Sequence, residues 1–306
     1  MGAWGSGLYS GDFAMDLRGT TGAVLRLPFE IDRIVEMLCN TERSSATDPQ
    51  NEDYTVFWLV VADQFVKRGI VNASVRDKAL AIIDNGDDLA MHSRLGMNSA
   101  GLKKRGKMLA ELRARIAAPP PPNARERSVL KRPQPFLMDI GECFAYPTSG
   151  TDCINSYYPS KDKIPRWKHD GWGVAVVIDR GRAFDFLTWY TSLIVARPLA
   201  EKPNEAALLS IGPWVLRRQG TCSPVHLKRL ELERIAQIEI DPEKLARAFP
   251  GMKPGISAAI SDISIANALG LLKQEPPVPE IPGKPVRGMY GAPIFTIARL
   301  TEITAG

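Results

Sequence analysis

Residues 172–196, WGVAVVIDRGRAFDFLTWYTSLIVA, contain the strongest β-strand pattern of the chain. Two runs rich in valine, isoleucine, phenylalanine and tryptophan flank the polar segment DRGR at 179–182. Branched and aromatic residues favour strands, and glycine permits the positive φ angle that a tight turn requires. The pattern therefore predicts a β-hairpin whose turn contains Gly181.

Shorter patterns extend this prediction over residues 136–306. Three more segments have the composition of strands: GECFAYPT at 141–148, ERIAQIEI at 233–240 and PIFTIARL at 293–300. Asp241 followed by Pro242 predicts the start of a short helix, and residues 255–272 repeat isoleucine and leucine at helical spacing. We expect an α+β fold, with a mostly antiparallel β-sheet or partial barrel and one or two helices.

Residues 1–117 have the periodicity of helices instead. Four segments place apolar residues on one helical face: PFEIDRIVEMLCN at 28–40, NEDYTVFWLVVADQFVKRG at 51–69, VNASVRDKALAIIDNGDD at 71–88 and GLKKRGKMLAELRARI at 101–116. Asn72 or Ser74 is suited to cap the third segment. These patterns predict an all-helical N-terminal domain.

A proline-rich basic segment, APPPPNARERSVLKRPQP at 118–135, separates the two patterns. Consecutive prolines favour an extended spacer, and the charged residues after them are expected to pack poorly. We therefore predict a helical domain at 1–117, a linker at 118–135 and an α+β domain at 136–306.

The overall composition limits the classes of protein to consider. The formal net charge is +5, which permits an acidic partner without requiring one. The sequence has neither an apolar run long enough for a membrane helix nor the pattern of a signal peptide. The cysteines are Cys39, Cys143, Cys153 and Cys222, without a CxxC pair. We expect a reduced, cytoplasmic protein that contacts no membrane.

The opening stretch, MGAWGSGLYSGDFAMDL at 1–17, is rich in glycine. A dinucleotide-binding loop requires a strand before its glycines, and none can form here. We expect the glycines to bend the backbone around Trp4, and Ser10 or Asp12 to cap a first helix. Asp12 and Asp16 are spaced to share one helical face, where they could serve structure or bind a cation.

The same stretch resembles the opening signature of the bacterial family known as domain of unknown function 4259. The matching residues are Gly2, Ala3, Trp4, Gly5, Gly7, Tyr9, Asp12, Ala14 and Asp16, whereas Gly11 and Leu17 depart from the signature. The resemblance implies a bacterial origin and a small helical domain over residues 1–117, and it implies no particular chemistry.

The second domain resembles the immunity-protein 26 type. The matching residues are Gly141, Glu142, Phe144, Ala145, Pro147 and Gly173, in a short strand followed by an aromatic β segment. This resemblance implies a domain that binds and neutralises a toxin without turnover.

Catalytic patterns are weak. Cys143, Cys153 and His169 follow the order of a thiol hydrolase, but Cys143 lies in an apolar, strand-like context that favours an inert thiol. Zinc ligands are usually closer in sequence than Cys143, Cys153, His169 and Cys222. Motifs typical of serine hydrolases and zinc proteases are absent from the sequence. We expect no catalytic site, no metal and no cofactor, with a cysteine-dependent hydrolase as an alternative.

Basic residues are concentrated between residues 103 and 132. They are Lys103, Lys104, Arg105, Lys107, Arg113, Arg115, Arg125, Arg127, Lys131 and Arg132, opposed only by Glu111 and Glu126. The cluster could be a solvated helix end, contact an acidic protein, or bind the phosphate backbone of a nucleic acid. Our binding candidates in this region are Lys103, Lys104, Arg105 and Lys107.

The segment SYYPSKDKIPRWKHDGW at 156–172 is polar and aromatic. Exposed tyrosine, tryptophan and arginine are typical of binding hot spots, so Tyr157, Tyr158, Arg166 and Trp167 are further candidates. The function that we predict is non-enzymatic binding of a partner protein, of the immunity or toxin-neutralising type. Nucleic-acid binding through the basic helix and linker is a second alternative.

Overall fold

A computed structural model of the chain describes residues 5–119, 127–154, 160–217, 220–250, 283–287 and 293–305. The described residues form two compact units that meet in sequence after Arg132. The first, here the helical unit, contains helices without a sheet; the second, here the sheet unit, is built on an antiparallel sheet. The fold is α+β, as predicted.

The helical unit is organised around one buried helix. Its helices are α1 (Asp12–Val24), α2 (Ile31–Thr41), α3 (Arg43–Thr47), α4 (Tyr54–Val66), α5 (Ala73–Asp84), α6 (Asp87–Arg94) and α7 (Ser99–Ala117). Helix α4 is buried on all sides from Thr55 to Phe65, as its almost uninterrupted apolar sequence requires. The predicted cap of α5 is confirmed, because the Asn72 side chain accepts a 3.0 Å hydrogen bond from the Val75 amide.

The sheet unit pairs its strands antiparallel throughout the described residues. The strands are β1 (Glu142–Ser149), β2 (Asp152–Cys153), β3 (Gly171–Ala183), β4 (Leu187–Val195), β5 (Trp214–Leu216), β6 (Glu233–Gln237), β7 (Val286–Arg287), β8 (Pro293–Ile294) and β9 (Thr296–Ile297). The main sheet has the order β2-β1-β3-β4-β5-β9, β6 also pairs with β1, and β7 pairs with β8 in a small second sheet. Strands β3 and β4 lie at the centre of the main sheet and supply most of its buried side chains.

The central hairpin forms, but its turn lies later than predicted. Gly181 is inside β3, opposite Trp189 of β4, and the turn falls at residues 184–186, where Phe184 and Asp185 have positive φ angles of 51° and 62°. A side chain at Gly181 would collide with the Trp189 ring. This glycine therefore makes room for an indole ring and does not form the turn.

Short helices complete the sheet unit. They are α8 (Glu205–Leu208), α9 (Pro224–Arg229) and α10 (Pro242–Ala248). Asp241 caps α10 as predicted, accepting hydrogen bonds from the amides of Glu243 and Lys244. The helix predicted at 255–272 lies outside the described residues, and the strand predicted at 293–300 divides into β8, β9 and a 3₁₀ turn.

Most of residues 127–135, the described part of the predicted linker, are exposed, but Arg127 and Gln134 make specific hydrogen bonds. The Arg127 guanidinium donates hydrogen bonds to the carbonyl groups of Leu25, Leu27 and Phe29, at 2.7–3.2 Å. Further along, the amide of Gln134 donates to the Phe186 carbonyl in the sheet unit. Carbonyl groups left free after helix α1 attract this guanidinium. The limits predicted for the two domains stay a prediction.

Candidate functional site

Helix α7 presents two different faces. The Asn98 side chain caps it, accepting a 2.8 Å hydrogen bond from the Gly101 amide. Leu109, Leu112 and Ile116 are buried at helical spacing, and the opposite face is exposed to solvent.

Arg105 belongs to the buried face of α7 and is paired inside the helical unit, unlike the exposed lysines beside it, and its contact with a partner stays a prediction. Its side chain is 2% exposed and binds the fully buried Asp88 of α6 through Nε at 2.5 Å and Nη2 at 2.9 Å. A third donor, Nη1, lies 3.2 Å from the Gly7 carbonyl oxygen. Asp88 also accepts a 3.0 Å hydrogen bond from Thr55. The physical reason is that a buried carboxylate requires a cation and full hydrogen bonding.

The exposed face of α7 carries Lys103, Lys104 and Lys107, which we call the lysine face. All three side chains are exposed, and no described carboxylate lies within 4.0 Å of their amines. The arginines of the same helix differ, because Arg113 binds Asp84 at 2.5 Å and Arg115 lies 3.1 Å from Asp63. The arginines are therefore paired within the unit, and the lysines point their charge towards solvent.

A cleft of about 740 Å³ begins beside the lysine face. Lys104 and Arg105 line one side, and the glycine-rich segment Gly5–Gly11 lines another. The charge of the cleft is mixed, because Asp12, Glu52 and Asp53 also line it. Burial, and then the neighbouring charge of Glu52, raise the pKa of Asp53.

His92 lies at the inner end of this cleft. It is 6% exposed, and its Nε2 atom is 3.8 Å from Asp88 Oδ1, without a hydrogen-bond partner among the described residues. Burial, and then the nearby Arg105 charge, lower the pKa of His92, while Asp88 opposes that effect. The imidazole is therefore neutral at physiological pH and does not add charge to the cleft.

The described part of the opening stretch makes hydrogen bonds to the buried helix α4. The Tyr9 hydroxyl donates a hydrogen bond to the buried Asp63 of α4 and accepts one from Gln64. Lys67 lies 2.6 Å from the same carboxylate. Gly11 is the residue that precedes α1, and it provides no side-chain cap, so the cap predicted from Ser10 or Asp12 is wrong. Trp4 lies outside the described residues.

Asp12 and Asp16 are both exposed on the first turns of α1. Burial, and then the Asp12 charge, raise the pKa of Asp16, so the two carboxylates repel each other across one helical turn. The described residues hold no group of three or more histidine, cysteine, aspartate or glutamate side chains placed to bind a metal ion.

The aromatic candidates of the sheet unit are only partly described. Tyr157 and Tyr158 lie outside the described residues. Arg166 is exposed in a left-handed backbone conformation, with φ at 63°. Trp167 was predicted as an exposed contact, but it is half-buried against the core of the sheet unit and its Nε1 atom is buried. Its large apolar area favours this packing over contact with solvent.

Sheet geometry separates Cys143 from His169, two residues of the alternative hydrolase site. Cys143 lies opposite Val176, whereas Thr148 of the same strand lies opposite Gly171. Five residues of strand span roughly 17 Å, so Cys143 is far from His169, which precedes Gly171. Cys153 pairs with Thr148, and strand alternation therefore places it on the opposite sheet face from Cys143.

The thiols are also unsuited to nucleophilic attack. Burial raises the pKa of Cys143, Cys153 and Cys222 to about 12 in each case. A thiol with such a pKa carries a negligible fraction of the reactive thiolate at neutral pH. His169 is exposed, with its ring packed edge-on against Trp172. The structure therefore does not place Cys143 beside His169, and the cysteine-dependent hydrolase stays an alternative prediction.

Comparison with protein-family models, with curated proteins and with solved structures finds no match for this chain. The two family resemblances drawn from short motifs therefore stay predictions. Within the described residues, none of the helices has the length and apolar character needed to cross a membrane.

The helical periodicity of the sequence indicates that Arg105 is buried, although the lysines around it are exposed. Arg105 precedes Leu109 by four residues and Leu112 by seven, so it continues the apolar stripe of the helix. Lys103, Lys104 and Lys107 do not lie on that stripe. The same periodicity that predicts the helix thus distinguishes the buried cation from the exposed ones.

Proposed function

We propose that this protein binds the acidic surface of a partner protein through the lysine face of α7 and the adjoining cleft. It acts by occupying its partner, as an immunity or toxin-neutralising protein does, and it does not catalyse a reaction. Its partner carries a negative patch for the lysines, next to a positive group that faces the carboxylates of the cleft.

The observation that carries this proposal is that the arginines of α7 lie beside carboxylates, whereas its lysines do not. Arg105, Arg113 and Arg115 are close to carboxylates of their own unit, whereas the three lysines have none within reach among the described residues. Solvent-exposed charges of one sign contribute little to folding, but they accelerate encounter with a complementary surface. A partner is the most direct use for this charge.

Mixed charge in the cleft favours a protein over a nucleic acid. Asp12, Glu52 and Asp53 line the same cleft as Lys104, and a phosphate backbone that followed the lysines would meet these carboxylates. Uniform positive charge is the usual footprint of nucleic-acid binding. A protein surface can instead present both signs at matching positions.

The buried thiols support the absence of covalent chemistry. Cys143 and Cys153 lie on opposite faces of the sheet, and the pKa of each thiol is raised to about 12. An activated cysteine nucleophile requires a base that removes its proton, and His169, two residues before Gly171, lies five strand positions away from Cys143.

The test compares capture of partners by the intact chain and by a variant in which Lys103, Lys104 and Lys107 are each changed to glutamine. A matched control changes the exposed Lys163, Lys228 and Lys284 of the sheet unit in the same way. Bound proteins are quantified by mass spectrometry, and association rates with the main partner are then measured at low and high salt.

We expect the lysine-face variant to associate at least tenfold more slowly at low salt, with the control unchanged. Equal capture by both variants would refute the proposal. Strong binding of duplex DNA or RNA, lost in the lysine-face variant and weakened steeply by salt, would establish the nucleic-acid alternative instead.

A further inference from the structure

The helical unit contains an apolar cavity away from the lysine face. It lies where the end of α4, the start of α5 and the end of α7 meet, and its volume is about 270 Å³. Phe65, Val75 and Ile116 form its walls, each at most 3% exposed. Val71, at its edge, is 62% exposed, so the cavity is reached from solvent.

A solvent-accessible apolar hollow of this size is large enough to hold a small ligand. Interiors are packed about as closely as organic crystals, with few voids larger than a water molecule. An engineered apolar cavity of about 150 Å³ already binds benzene, and this one is larger. Its described walls are mostly apolar, with polar side chains only from Asn72, Arg76 and Arg115, so an apolar group is the occupant that its interior fits.

The rim of the cavity supplies positive charge. Arg76 and Arg115 both line it. Arg115 lies 3.1 Å from Asp63 and is already balanced. Arg76 is exposed, its guanidinium donates one long 3.3 Å hydrogen bond to the Ala117 carbonyl, and no carboxylate lies within 4.0 Å of it among the described residues. It is therefore available to bind a carboxylate through two parallel hydrogen bonds.

Asn72, the other polar group at the rim, is already engaged. Its side-chain oxygen accepts from the Val75 amide, and its nitrogen donates to Asp32 at 2.7 Å. Recognition at the rim thus depends on the guanidinium of Arg76, which selects for negative charge.

We propose that this cavity binds a small amphiphilic carboxylate: an unbranched alkyl chain of medium length fills the apolar interior, and its carboxylate binds Arg76. The site uses none of the residues of the lysine face. The inference therefore stands or fails independently of the proposed partner protein.

The test measures binding of butanoate, hexanoate and octanoate to the full chain by isothermal titration calorimetry, with 1-octanol as the uncharged comparison. Each added methylene that is buried strengthens binding about fourfold. We therefore expect octanoate to bind about fifteenfold more tightly than hexanoate, with one site per chain, and to raise the thermal unfolding midpoint.

Two variants separate the charge from the cavity. Arg76→Gln should weaken octanoate at least tenfold and leave octanol unchanged, while the exposed Arg33→Gln on α2 serves as a matched control. Ala62→Leu fills the cavity from α4 and should abolish both ligands, with circular dichroism verifying the fold. If Ala62→Leu unfolds, Arg76→Gln still decides the result. Equal affinity for octanoate and octanol, an unaffected Arg76→Gln variant, or no binding of octanoate would overturn the proposal.

Discussion

Replacing Arg105 by alanine is the most informative perturbation of the helical unit. The substitution removes both hydrogen bonds to Asp88, which is fully buried, and the bond to the Gly7 carbonyl. The Asp88 carboxylate would keep its bond to Thr55 and lose its only close cation among the described residues. His92 lies 3.8 Å away and would compensate only by taking up a proton.

The magnitude follows from the cost of leaving a buried charge unpaired. Removing one partner of a buried ion pair destabilises a protein by about 3–5 kcal/mol. The lost bond to Gly7 adds about 1 kcal/mol. For a unit of this size, the unfolding midpoint should fall by roughly 12–36 °C.

The assay is urea denaturation followed by far-ultraviolet circular dichroism, which the helices dominate. Lys107→Ala is the matched control, because it removes a cation from the exposed face of the same helix and should change the free energy of unfolding by less than about 0.5 kcal/mol. A double-mutant cycle with Asp88→Ala isolates the pair, and its coupling should exceed about 2 kcal/mol. A loss below about 1 kcal/mol for Arg105→Ala, or additive effects in the cycle, would refute the reasoning.

Three further predictions concern buried groups. Burial raises the pKa of Cys143 and Cys153 to about 12, so both thiols should resist iodoacetamide at pH 8 in the folded protein and react in urea. Mass spectrometry measures the labelling, and rapid labelling of the native state would contradict this prediction. Burial lowers the pKa of His92, so the unfolded chain binds more protons than the folded protein below about pH 6.5. The free energy of unfolding should therefore fall on acidification, and the fall should be smaller in the His92→Gln variant. Gly173→Ala places a methyl group against the ring of the fully buried Tyr146 and should cost about 1–3 kcal/mol in denaturant titrations; an unchanged midpoint would show that the ring can move.

Local patterns in the sequence were sufficient for the elements that depend on neighbouring residues. The periodicity of α7, the cap at Asn72 and the cap at Asp241 each involve residues within a few positions of one another. The runs of branched and aromatic residues likewise predict both strands of the central hairpin. Such features are encoded in short segments, so sequence analysis recovers them.

The position of the hairpin turn could not be predicted in this way. Gly181 has the residue type of a turn, yet its role is set by the Trp189 ring on the neighbouring strand. Only the register of β3 against β4 determines which residue lies opposite the indole. A single sequence does not reveal that register.

The sequence by itself determined the fold class, most of the helices and the concentration of basic residues around α7. Only the tertiary structure decided which of those residues are available to a partner. Arg105 is separated from Asp88 by 17 positions, and Arg115 from Asp63 by many more, so their pairing arises when distant helices pack together. A buried carboxylate takes the nearest cation that can reach it, because burying an unpaired charge costs more than ordering a side chain. The lysines that no described carboxylate pairs with supply the charge to which we assign the proposed binding.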